Sequence, residues 1–90
     1  MTSLAAAVFT AHAHNQMARR GIAEAEVRRV LEAPESVVPV RPGRQIAQKA
    51  FLIGTPPREY LIRAVVDIDR SPPEVVTVYR TSRLAKYRSP

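Results

Sequence analysis

The connectors in the second half of the chain constrain its fold most tightly. Four runs rich in β-branched and aromatic residues, Ser36 to Arg41, Gln45 to Ile53, Glu59 to Asp67 and Glu74 to Arg80, are separated by the turn segments PGR, GTPPR and DRSPP. None of these holds a crossover helix, which parallel pairing requires, so neighbouring strands are predicted to be antiparallel in meander order. Pro39 lacks a backbone donor and places the first of the four at a sheet edge.

Ahead of Pro34 the spacing is helical. Thr10 reads as the N-cap of a helix of about ten residues over AHAHNQMARR, and Gly21 as its left-handed stop. A second helix starts after Ala23: Ile22 and Val27 form a hydrophobic staple, and Glu26 supplies half of a capping box, since alanine replaces the usual hydroxyl. Val27, Val30 and Leu31 are its buried stripe, and Pro34 closes it. The expected architecture is α+β, two N-terminal helices on one face of a curved four-stranded antiparallel sheet.

Ninety residues build one core, so residues 1–90 are expected to form a single domain, with 1–9 a disordered or short-strand lead and 81–90 a basic tail. A core this thin gains from a dimer contact, so a homodimer is among the expected assemblies. The absence of cysteine excludes disulfides, thiolate metal sites and cysteine nucleophiles. The opening apolar run is short and has no basic flank, which argues against a signal peptide or membrane span; the expectation is a soluble, cytoplasmic protein with no membrane partner.

Charge is laid out unevenly. Up to Glu35 four arginines face four glutamates, while from Ser36 onward ten cations face four acids, which carries the whole net charge of +6. Twelve of the fourteen cations are arginines, whose planar fork suits phosphate. Arg80, Arg83, Lys86 and Arg88 follow one another with no acid between them, a pattern that fits phosphate contact.

On the first helix His12, Gln16 and Arg19 or Arg20 share a side, whereas His14 points nearly opposite to His12, so the pair is no chelate and no metal site is expected. His12 lies in the first turn, where the macrodipole favours the uncharged imidazole that a general base needs. In the strands, Tyr60, Ile62, Ala64 and Val66 are predicted to face the helices and Leu61, Arg63 and Val65 to face away. Lys49 is grouped with Arg63 as a phosphate clamp. Thr77 and Tyr79 share one face of the last strand and Arg80 the other, and Tyr79 offers a stacking or hydrogen-bonding group. Glycine-rich phosphate loops, paired carboxylates and a nucleophile elbow are missing, which disfavours nucleotide hydrolysis, glycosidase and serine-hydrolase chemistry.

The pieces Phe9-Thr10-x-His12-Ala13, Met17, Arg20-Gly21-Ile22, Glu26-Val27, Pro34-Glu35, Lys49, Val76 to Ser82 and Lys86-Tyr87, in this order, resemble the domain of unknown function family 4258 over nearly the whole chain. That family is similar to the RelE, ParE and BrnT toxins, with helices on a curved antiparallel sheet in a barnase- or colicin-like ribonuclease fold. The resemblance implies a metal-independent ribonuclease acting on mRNA or ribosome-associated RNA, with a small acidic or DNA-binding antitoxin as partner and no cofactor. His12, Arg20 and Lys49 are then the expected catalytic residues, and Gln16, Arg63, Thr77, Tyr79, Arg80, Arg83 and Lys86 the substrate-binding ones. Gln16 departs from the arginine usual before the methionine, which removes one helix-borne cation, and Ala23 replaces the common serine. From a different class comes the alternative of a basic RNA- or protein-binding module without turnover, and a third reading is an inert relic or immunity-type partner.

Overall fold

The computed structural model describes residues 4–87. A single 3-10 turn (Leu4–Ala6) leads into a two-residue strand, β1 (Val8–Phe9). Helices α1 (Ala11–Arg20) and α2 (Glu24–Glu32) follow, then strands β2 (Ser36–Arg41), β3 (Arg44–Ile53), β4 (Arg58–Asp67) and β5 (Glu74–Thr81), and last a short helix, α3 (Leu84–Tyr87).

The class is α+β, but among the described residues the sheet is five-stranded and mixed, in the order β1-β5-β4-β3-β2, and there are three α-helices. This corrects the expectation of four antiparallel strands and two helices. The meander from β2 to β5 is antiparallel throughout. The added β1 runs parallel to β5, held by Val8 N–H to Pro73 O at 2.9 Å and Thr10 N–H to Val75 O at 3.1 Å. Two residues show no alternation, and four show no helical period, so neither β1 nor α3 leaves a sequence pattern to read.

Local chemistry sets the helix ends. The Thr10 hydroxyl accepts the Ala13 N–H at 3.1 Å, and Gly21 turns left-handed at φ 64° while Ile22 N–H returns to Met17 O at 2.9 Å. In α2 the Ala23 N–H donates to Glu26 Oε1 at 3.0 Å, but alanine returns no acceptor. At its other end Lys49 Nζ donates to Ala33 O at 3.0 Å, a cation on the carbonyl end of the helix.

Both faces of the sheet are covered. On one side Val27, Val30 and Leu31 of α2, with Ala13 and Met17 of α1, bury Ala47, Ile62, Ala64, Val66, Val75 and Val78. Each fully buried valine, leucine or isoleucine side chain there contributes about 1.5–3 kcal/mol. On the other side α3 lies over the centre: Gln48 Nε2 donates to Tyr87 O at 3.1 Å, and the Arg63 guanidinium sits 4.0 Å from the Tyr87 ring centre. At the β2–β3 turn Gly43 has φ 85°, and a Cβ built there meets the Asp69 carboxylate at 2.9 Å, so only glycine fits.

Candidate functional site

The C-terminal half of α1 runs beside β5, and between them the surface opens into two adjoining clefts. The larger, about 420 Å³, is lined by Arg20, Tyr79 and Arg80. The smaller, about 150 Å³, is lined by Gln16, Arg19 and Arg20. Arg20 is the wall between them. Its Nη1 donates to Val78 O at 2.6 Å, which fixes the side chain across the strand and leaves its remaining N–H groups for a ligand.

Two supporting bonds shape the walls. The Thr77 hydroxyl donates to Gln16 Oε1, tying the helix to the strand at the smaller cleft. Arg63 Nη1 donates to the Tyr79 hydroxyl, which occupies an acceptor lone pair and leaves the phenolic proton free to donate. Arg63 itself is 7% exposed and bonds Gln48 Oε1 through Nε at 2.9 Å. Among the described residues no ion pair uses Arg19, Arg20, Arg63 or Arg80; the four formed engage Arg28, Arg44 and Arg70. Asp67, Asp69 and Glu74 lie at the other end of β4 and β5, with Arg44 and Arg70. The cleft is therefore lined by cations and hydroxyl or amide groups, a donor set that suits a phosphate or another oxyanion.

Of the expected site residues, Gln16, Arg20, Tyr79 and Arg80 meet at the clefts, with Thr77 and Arg63 behind them. Lys49 does not join them. It pairs with Ile62 while Arg63 pairs with Gln48, so lysine and arginine point to opposite faces of the sheet, and Lys49 instead caps α2. Pairing them as clamps placed them on the same face; counting register shows that they differ by one residue of parity. Arg63 supports the cleft from within, under α3, where an open outer face was expected.

His12 is exposed in the first turn of α1 and lines neither cleft. Eight residues separate it from Arg20, about 12 Å of helical rise. His14 sits 5.4 Å from the Phe9 ring. Arg83 and Lys86 are exposed on and before α3, the latter 5.3 Å from the Tyr87 ring, and Arg88 lies outside the described residues. Arg19 belongs to the site through the helical spacing that already joined it to Gln16. Gln48, which orients Arg63, is named by no sequence motif, and β3 holds Arg44, Gln45 and Lys49 as well, so nothing singles it out before the strands are aligned.

A family model described as a domain of unknown function, DUF4258, matches residues 9–80, a span that contains every residue lining the clefts and stops before α3. No curated protein and no solved structure matches the chain. Among the described residues no helix is long and apolar enough to cross a membrane.

Proposed function

The chain belongs to the DUF4258 family, and from that premise we propose that it is a toxin-type, RNA-acting domain of the cytoplasm, resembling RelE, ParE and BrnT, that holds a phosphodiester of RNA in the α1–β5 cleft. The observation that carries this reading is the convergence of Arg20 and Arg80 with Tyr79 around one open cleft. Arg20 takes the phosphate by its fork while its other edge stays on Val78 O, and Arg80 neutralises it from the strand. An acidic antitoxin competes for the same basic face.

Fluorescence anisotropy with labelled single-stranded oligouridylate across a salt series tests the reading. Affinity is expected to fall steeply with salt, by about 0.7 log units per log unit of salt for each phosphate contacted. Arg20→Ala and Arg80→Ala each weaken binding and flatten that slope. Binding indifferent to both substitutions places the RNA elsewhere.

A second reading, metal-independent cleavage, is favoured by the smaller cleft, whose Gln16 and Arg19 lie on the His12 side of α1. In this reading His12, outside the cleft and one helical turn before Gln16, takes the proton of a ribose 2′-OH as its oxygen attacks phosphorus. The bond to the 5′ oxygen breaks, that oxygen takes a proton from solvent, and Arg19 and Arg20 stabilise the charge on the phosphate. The products are a 2′,3′-cyclic phosphate and a 5′-hydroxyl end. Cleavage in EDTA that His12→Ala abolishes without loss of RNA affinity supports turnover; intact RNA bound by the wild type leaves the binding module.

A further inference from the structure

Arg80 belongs to two groups at once. On one side it lines the cleft with Arg20 and Tyr79. On the other its guanidinium carbon lies 5.7 Å from the centre of the Tyr60 ring, and the guanidinium carbon of Arg58 lies 5.9 Å from that same centre. Tyr60 is the diagonal neighbour of Arg80 across the β4–β5 ladder, in which Ile62 pairs with Arg80. Arg58 precedes Tyr60 by two residues and shares its face. One half-buried ring thus has two exposed guanidinium groups against it, Arg80 from the Ile62 side and Arg58 from the start of β4.

Like charges gathered this way repel, and the ring offsets this only in part. None of the ion pairs among the described residues uses either group. Anions along this row of cations offset the repulsion. Because Arg80 is common to both groups, an anion at Arg58 lies on the same run of surface as one in the cleft.

We infer that Arg58 and Arg80, positioned by Tyr60, form a second phosphate subsite beside the cleft, so that the ligand is a single RNA strand contacted at two or more successive phosphates. The inference rests on the proposed RNA-binding cleft and extends it to a track running from Arg19 on α1 to Arg58 at the start of β4. Tyr60 acts as a positioning residue.

The test compares labelled oligouridylate with uridine monophosphate as competitor, using the full chain. Arg58→Ala, an exposed change, is expected to weaken oligouridylate binding and to make its salt slope shallower by about 0.7, while leaving competition by the monophosphate unchanged. Arg58→Lys restores the slope. Tyr60→Leu, which keeps both charges, lowers affinity with the slope retained. Oligouridylate binding that Arg20→Ala weakens and Arg58→Ala leaves untouched in affinity and slope overturns the second subsite alone. Wild-type protein that binds no oligouridylate overturns both this inference and the cleft reading beneath it.

Discussion

A guanidinium buried without a carboxylate needs its charge spread over weaker partners, and Arg63 has three kinds. Its Nε meets Gln48 Oε1 at 2.9 Å, its Nη1 meets the Tyr79 hydroxyl, and the Tyr87 ring lies 4.0 Å from its guanidinium carbon. Removing the group strands a buried amide oxygen and opens a void, so Arg63→Ala is expected to cost about 2–4 kcal/mol in urea denaturation. Arg63→Met retains the apolar stem and is expected to cost about 1–3 kcal/mol, the penalty of the unpaired acceptor. Equal stability of both variants with wild type would show that the Gln48 and Tyr79 contacts carry no energy. Strand parity alone indicates that Arg63 faces away from α1 and α2. The cover supplied by Tyr87 comes from a segment too short to announce itself, and so its burial was not legible. At the far end of the sheet Arg44 grips Asp67 through Nε at 2.6 Å and Nη2 at 3.1 Å, and this hydrogen bond holds the carboxyl below its ordinary value of 3.8. A carboxyl more acidic in the folded than in the unfolded chain stabilises the fold above its unfolded value, and the stability is lost as pH falls toward the folded one. Thermal midpoints measured from neutral pH down past 3.8 should therefore drop, and Asp67→Asn, less stable at neutrality, should show a flatter acid limb. An identical acid limb in the variant would assign acid unfolding to other carboxylates.

Each element owes its ends to particular side chains, and those ends were readable where a side chain does the work. Thr10 and Gly21 bound α1, Pro34 follows α2, and the segment Ser36–Arg41 is the first meander strand as its residues suggest. Cleft residues on these elements were legible for the same reason: Gln16 and Arg20 follow from helical spacing, and Tyr79 and Arg80 from a strand whose end is unambiguous. Lys49 was misplaced because faces on neighbouring strands depend on register, which the sequence between β3 and β4 leaves undetermined by one residue. Arg58 and Tyr60 escaped notice as a pair with Arg80 for a related reason: their proximity is a diagonal across a ladder, visible only once strands are aligned. The weakest end is the start of α2, where Ala23 has N-cap geometry (φ −77°, ψ 144°) and no oxygen to offer. Ala23→Ser completes the capping box with Glu26 and is expected to add about 1 kcal/mol, read as a higher denaturant midpoint at unchanged slope. A midpoint at or below that of wild type would mean that the Glu26 N–H, which already reaches Ala23 O at 3.1 Å, gains nothing from the hydroxyl.

For the molecule as a whole, the sheet order leaves β2 as an open edge, since among the described residues only β3 pairs with it. All six of its residues are exposed, with Val37 at 39%, Val38 at 38% and Val40 at 51%. A bare apolar edge is a template for a second strand. Two features oppose that pairing. Pro39 removes a donor from mid-strand, and the ladder with β3 shifts between Pro39 and Arg41, which breaks the regular row of groups a partner needs. The net charge of +6 adds a repulsion between copies that acts over about 10 Å at 0.1 M salt and shrinks as salt rises. The same charge attracts polyanions, the class to which the proposed RNA ligand belongs, so the field that would draw such a ligand to the cleft also disfavours pairing at the edge. Pro39→Thr restores the donor and suits a strand, and is expected to self-associate at lower protein concentration than wild type, more so at high salt where the repulsion is screened. Sedimentation velocity over a concentration series at low and high salt measures this. If the variant and wild type associate identically at both salts, the β2 edge takes no part in assembly, and any homodimer forms through another surface.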